Sequence, residues 1–179
     1  NMNINNYLIV MFCLVISSSF GQAKLTKNKE VLIASIEKHK ENLIKISDDI
    51  WALAETAFEE NKSAEILASY AEKQGFKVDR GVAGMPTAFV ATYGSGKPVI
   101  SILGEFDALP GLSQKTEPTK NPLHEGEAGH GCGHNMFGAG SLGAAVAIKE
   151  LIASGKIKGT IKFFGTPSEE KYFGKIWMV

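Results

Sequence analysis

The sequence lacks net charge, lacks any charge at its start, and has little cysteine. Lys and Arg together number 19, as do Asp and Glu, so the formal net charge over 179 residues is zero. A chain without a basic excess offers no electrostatic footprint for a nucleic-acid backbone. There are 2 cysteines, and one of them, Cys13, lies in an N-terminal apolar run. That leaves no basis for a disulfide framework. The run itself, Tyr7 to Ile16, is too short to span a bilayer as a helix, which takes roughly 20 residues, so no stable membrane anchor is expected. Internal repeats and low-complexity tracts are absent. What remains is an ordinary globular composition, 44% hydrophobic, long enough for one domain.

Residues 1–23 carry no Lys, Arg, Asp or Glu. The apolar run is followed by Ser17, Ser18, Ser19, Gly21 and Ala23. This reads as a secretory signal peptide over 1–23, with 24–179 as the mature part in the periplasm or outside the cell. The start carries asparagines where a basic residue is usual, and a buried N-terminal strand or helix is the competing reading. Val10-Met11-Phe12 lacks the small residue expected before a lipid-modified Cys13. With the leader removed, Cys132 is the one cysteine left. A lone thiol among histidines in an exported protein is best read as a metal ligand. Asn1 precedes Met2, so the sequence need not begin at a start codon; the chain ends in Ile176-Trp177-Met178-Val179 without a cap, which suggests the N-terminal part of a longer catalytic domain.

Periodicity predicts a helix from about Lys29 to Ala54. Leu32, Ile36, Leu43, Ile46, Ile50 and Leu53 share one face, and His39 completes the stripe as a boundary residue. A second helix through Ile66, Leu67 and Tyr70 should stop at Gly75, capped by Asn61 or Ser63, with Glu59 and Glu60 solvated at its entrance. Phe76–Asp79 and Thr87–Tyr93 read as strands. Gly94-Ser95-Gly96-Lys97 lacks the spacing and the following Ser or Thr of a phosphate loop, so a hairpin turn is expected. Pro98 to Gly104 reads as a strand buried on both faces. Asn135 to about Ser154 reads as a helix whose small residues, Gly138 to Ala145, let it lie close to a sheet. Gly159 to Gly165 is a further apolar strand. Strand, loop, helix, strand implies an α/β fold with parallel strands and a right-handed crossover.

In such sheets ligands sit beyond the carboxyl ends of the strands. Glu105 and Asp107 follow one strand, Glu169 and Glu170 follow another, and Cys132 and His134 precede the connecting helix. All three clusters therefore meet at one rim. Cys132 and His134, flanked by Gly131 and Gly133, can curl onto one ion. One carboxylate of the glutamate pair can bind the cation while the other serves as a base for water. Asp107 could orient a ligand or bind directly, Glu105 is a weaker candidate, and His130 could be a ligand or a substrate contact. His124, Glu125 and Glu127 read as solvated loop residues.

These stretches resemble the zinc-dependent metallopeptidase and amidohydrolase family of aminoacylase and hippurate hydrolase, in its aminobenzoyl-glutamate branch. The likeness runs through Asp49 to Glu65, Gly81 to Ala88, Gly104 to Gln114, Gly129 to Gly143 and Gly165 to Glu170. It implies that Cys132, His134 and Glu170 bind metal and that Glu169 is the general base. It implies two divalent ions, zinc or manganese, and a three-layer α-β-α fold with a mainly parallel sheet, present here without the family's inserted dimerisation domain. It implies hydrolysis of an N-acyl or N-aroyl amino acid, an oligomeric full-length protein, and further histidine ligands beyond Val179, so that 1–179 alone would be inactive. Three positions depart from relatives. Asn135 stands where many have Asp, although the aminobenzoyl-glutamate branch matches. Glu105 stands where a His-x-Asp motif has His. Lys171-Tyr172-Phe173 stands where glycines are common.

Two other readings compete. One is a non-catalytic metal-binding or scaffold module. The other is a thiol hydrolase with Cys132 as nucleophile and His134 as base, for which no oxyanion partner is evident.

Overall fold

A computed structural model describes residues 26–179, so the proposed leader lies outside the described residues. The chain divides into two units, Asn1–Glu30 and Val31–Val179, and the second carries the sheet and the site. In chain order the elements are α1 (Lys27–Leu53), α2 (Asn61–Lys73), β1 (Lys77–Arg80), β2 (Phe89–Ser95), β3 (Val99–Glu105), α3 (His134–Ala153), β4 (Gly159–Thr166) and α4 (Glu169–Tyr172). Short 3-10 turns cover Val82–Gly84 and Gly174–Met178.

The strands order as β1-β2-β4-β3. β3 and β4 run parallel, in register from Val99 opposite Thr160 to Glu105 opposite Thr166, with α3 as their crossover. β2 pairs antiparallel with both β1 and β4. The α/β class and the crossover unit are as expected, but the sheet is mixed rather than mainly parallel. The core fills the space between one sheet face and the helices. Phe89, Ala91, Ile161 and Phe163 meet Leu67, Ala68 and Ala71 of α2, Leu142, Ala145 and Val146 of α3, and Ile46 and Ile50 of α1. The alternate strand positions Val90, Thr92, Lys162 and Phe164 are half-buried. By length and composition alone α3 could also cross a bilayer, yet Leu142, Ala145 and Val146 lie fully buried in this core.

The small residues of α3 do what their pattern suggests. A Cβ on Gly138 would come 2.9 Å from the Glu105 carbonyl oxygen, and one on Gly143 would come 2.7 Å from Leu43 Cδ1. The helix thus lies against the end of β3 and against α1, which brings His134 to the strand ends.

Two strand expectations are corrected. β2 and β3 are not a hairpin: β4 lies between them, and the link through Gly96 wraps the start of β4, where Thr160 Oγ1 donates to the Gly96 carbonyl at 2.9 Å. β3 is an edge strand, not one buried on both faces, and Val99 and Ile100 are 52% and 51% exposed. Its apolar run reports β-propensity and not burial, because among the described residues neither face of its first half is covered.

His39 is more than a boundary residue. It is buried on α1, its Nε2 lies 3.0 Å from Glu150 Oε1, and its Nδ1 lies 2.9 Å from the Tyr70 hydroxyl. The three side chains tie α1, α2 and α3 together. Desolvation opposes the Glu150 carboxylate, but hydrogen bonds from His39 and Lys38 outweigh it and hold its pKa at about 2 against an ordinary 4.5. A depressed carboxylate contributes stability above its unfolded pKa and loses it as pH falls through the folded one. The denaturant midpoint should therefore fall between pH 4.5 and pH 2, with about 1–2 kcal/mol of the loss removed by Glu150→Gln. An equally steep acid limb in that variant would contradict the cross-tie.

Candidate metal centre

The β3 strand ends at Glu105, and Phe106-Asp107 turns inward, with Phe106 and Asp107 almost wholly buried. The following loop returns at Gly129, where Leu109 and Gly129 exchange two backbone hydrogen bonds of 3.0 Å. A Cβ on Gly129 would come 2.2 Å from the Leu112 carbonyl oxygen, and one on Gly131 would come 2.7 Å from Leu112 Cδ1. Only glycine lets this segment press so close. Gly133 sits at φ 81°, a left-handed value, and starts α3 at His134. The curl expected between Cys132 and His134 is therefore made at Gly133.

β4 delivers Thr166-Pro167-Ser168 to the same edge. Ser168 is left-handed, with φ 56° and ψ 41°, a conformation that costs a non-glycine residue roughly 1 kcal/mol or more. The turn presents Glu169 and Glu170 to the rim.

One atom each from Cys132, His134 and Glu170 lie within 4.8 Å of one another, and so do one each from Glu105, His134 and Glu169. His134 belongs to both groups. Asp107 connects them. Its Oδ1 accepts from His134 Nδ1 at 3.0 Å, and its Oδ2 accepts the Glu170 backbone N–H at 2.9 Å. With Nδ1–H donating to Asp107, the lone pair of His134 is left on Nε2, which lies 3.2 Å from Glu105 Oε2 and 3.9 Å from Glu169 Oε2.

The cluster is strongly anionic. Burial opposes the Asp107 carboxylate, yet the His134 hydrogen bond and the Glu170 N–H outweigh it and lower its pKa. Burial likewise opposes the His134 imidazolium, but the hydrogen bond and charge of Asp107, then Glu105 and Glu170, raise its pKa. Desolvation, followed by the charges of Glu170, Glu169 and Glu105, pushes the Cys132 thiol up. A thiol held protonated in this way is a poor nucleophile, which argues against the thiol-hydrolase reading. A cation would reverse the trend and hold the sulfur as thiolate. Glu170 Oε1 is buried and has no hydrogen-bond partner. Thiol, imidazole and carboxylate together with this unpaired oxygen fit a divalent ion of borderline softness.

Not every candidate joins the cluster. His130 Nε2 donates to the Ile50 carbonyl at 3.0 Å, its Nδ1 is buried without a partner, and burial lowers its pKa. It belongs to neither donor group. The Asn135 amide donates to Ser47 Oγ at 3.0 Å and to the Ser47 carbonyl at 3.3 Å, so it ties α3 to α1 instead of facing the centre. His124, Glu125 and Glu127 are exposed, as expected.

Three residues escape a sequence reading. Lys175 hydrogen-bonds Glu105 Oε1 and lies 3.6 Å from Glu169 Oε1. Glu60 is fully buried, not solvated: its Oε1 accepts the Ser168 N–H at 2.7 Å and its Oε2 accepts the Thr87 hydroxyl at 3.2 Å. Burial pushes the Glu60 carboxyl up, against the pull of backbone N–H groups that include that of Ser168. Glu55, not Asn61 or Ser63, caps α2, accepting the N–H groups of Lys62 at 3.1 Å and Ser63 at 2.8 Å. Glu59, next to Glu60, is exposed, and nothing in the local pattern tells the two apart.

Residues 101–179 match the profile described as peptidase family M20/M25/M40. Over 148 residues the chain is 47% identical to a subunit of the p-aminobenzoyl-glutamate hydrolase of Escherichia coli, covering 81% of this chain and 30% of that protein. It is 28% identical over 177 residues to Xaa-Arg dipeptidase of Mus musculus, covering 91% of this chain and 36% of that protein. A solved dinuclear metal-binding peptidase of Bacillus subtilis, YXEP of the M20 family, superposes with a TM-score of 0.63 at 26% identity, covering 75% of this chain and 36% of that one. The chain spans about a third of the length of the curated relatives it matches.

If Asp107 orients the donor set, Asp107→Ala should weaken zinc binding by about 10–100-fold in calorimetric titration. Unchanged affinity would show that His134 and Glu170 hold their places without it.

Proposed function

The chain belongs to the M20/M25/M40 family of peptidases, and from that premise we propose that it carries the principal metal-binding and proton-transfer residues of a metal-dependent amide hydrolase. The observation that carries this reading is the meeting of Cys132, His134, Glu170, Glu105 and Glu169 in two donor groups that share His134. Cys132, His134 and Glu170 would hold a divalent cation, zinc or manganese, and Glu105, His134 and Glu169 border a second position. The cation supplies Lewis acidity toward the amide carbonyl and acidifies water.

The chain's own residues do the rest. Glu169, left out of the first donor group, takes a proton from the attacking water and returns it to the departing amine nitrogen. Asp107 keeps His134 in the tautomer with a free Nε2 and fixes the backbone of Glu170. Lys175 limits charge repulsion between Glu105 and Glu169.

The substrate class is an N-acyl or N-aroyl amino acid, with p-aminobenzoyl-glutamate as the first compound to try, supported by the identity to the Escherichia coli protein. That relative is one subunit of its hydrolase, which supports an oligomeric assembly for the longer protein. The uncharged apolar segment at 1–23 supports export. Residues 1–179 by themselves are expected to bind the cation without turnover, because they span about a third of the length of the curated relatives.

The test uses the full-length gene product with p-aminobenzoyl-glutamate. Chelation should abolish hydrolysis, zinc or manganese should restore it, and Glu169→Gln should lower kcat by about 10²–10⁴-fold with metal content unchanged. Hydrolysis that survives chelation would restore the thiol mechanism. Metal uptake without hydrolysis of any acyl-amino acid would leave a binding module.

A further inference from the structure

Glu60 lies outside both donor groups, yet it is fully buried and joins three separate segments. It precedes the first turn of α2. Its Oε2 takes the hydroxyl of Thr87, just before β2, and its Oε1 takes the backbone N–H of Ser168. Ser168 is the residue at which β4 turns toward Glu169 and Glu170, and it does so at a positive φ that a serine seldom adopts. The Ser168 hydroxyl is buried without a partner, so it does not hold the turn. The Ser168 carbonyl accepts the Tyr172 N–H at 3.0 Å within the turn itself, and the hydrogen bond from the Ser168 N–H to Glu60 is the contact that ties the turn to the rest of the fold.

We propose that Glu60 is a positioning residue for the glutamate pair: by gripping the Ser168 N–H it fixes the left-handed turn that aims Glu169 and Glu170 at Cys132 and His134. The inference rests on the metal-centre reading above. Two contacts then define where the pair can go. Glu60 holds the backbone just before it, and Asp107 holds the N–H of Glu170 itself. Losing the first leaves a turn pinned at one end, and the Glu170 carboxylate can swing away from the sulfur and imidazole.

Cobalt(II) added to the full-length gene product gives the test, because a thiolate ligand produces a charge-transfer band that reports the geometry at Cys132. Glu60→Met keeps the volume but accepts no hydrogen bond. It should weaken cobalt binding about 10–100-fold and shift the band. Glu60→Gln still accepts the Ser168 N–H and should bind within about threefold of wild type, and Thr87→Val, which leaves the Ser168 contact alone, should do the same, both staying below the effect expected of a lost supporting partner. Amide exchange on the unaltered chain decides without any variant: the Ser168 N–H should be protected. Wild-type cobalt binding by Glu60→Met, loss in Glu60→Gln as large as in Glu60→Met, or a Ser168 amide that exchanges at the free-peptide rate would each overturn the proposal. Failure of the unaltered chain to take up cobalt would sink the metal-centre reading, and this inference with it.

Discussion

The Asp107 carboxylate accepts two hydrogen bonds from opposite sides of the rim, one from His134 at the start of α3 and one from the backbone of Glu170 beyond β4. The arrangement of the centre depends on this bridge. A carboxylate buried so completely is costly unless its charge is met. Here an imidazole and a peptide N–H meet it, and both belong to segments that carry candidate ligands. The parallel pairing of β3 with β4 sets Glu105 opposite Thr166, so the acids after the two strands arrive side by side. The crossover helix, lying close through Gly138, brings His134 down between them.

The electrostatics point the same way. Glu105, Asp107, Glu169 and Glu170 surround one imidazole and one thiol, with Lys175 as the cationic side chain paired to them. Desolvation and the neighbouring acids push the Cys132 thiol up, and one oxygen of Glu170 is buried without a hydrogen-bond partner. Each of these is unfavourable alone, and one divalent cation relieves them together. Stability of this edge is thereby linked to occupancy, since a ligand that binds only the folded chain stabilises it by mass action.

The sequence made the rim legible because its signals are local. Cys132 and His134 two residues apart, adjacent Glu169 and Glu170, and apolar strands ending in acids all place chemistry by connectivity alone. The small residues of α3 were equally readable, and so was the α1 stripe at Ile46 and Ile50, which are buried, though Ile36 of the same stripe is exposed. The failures are non-local. Glu60 is buried by partners 27 and 108 residues away, so neither its composition nor its neighbours distinguish it from exposed Glu59. The link after β2 looked like a hairpin because nothing near Gly94 announces that β4 will insert there. Asn135 and His130 lie in the same glycine-rich stretch as the ligands, yet their side chains turn to Ser47 and Ile50. A motif names such residues without giving their direction.

X-ray absorption at the zinc edge of the zinc-loaded chain tests the central claim most directly. The account predicts a first shell with one sulfur at about 2.3 Å and nitrogen and oxygen donors at about 2.0–2.2 Å, the sulfur vanishing in Cys132→Ser. A shell of nitrogen and oxygen alone in the unaltered chain would contradict it.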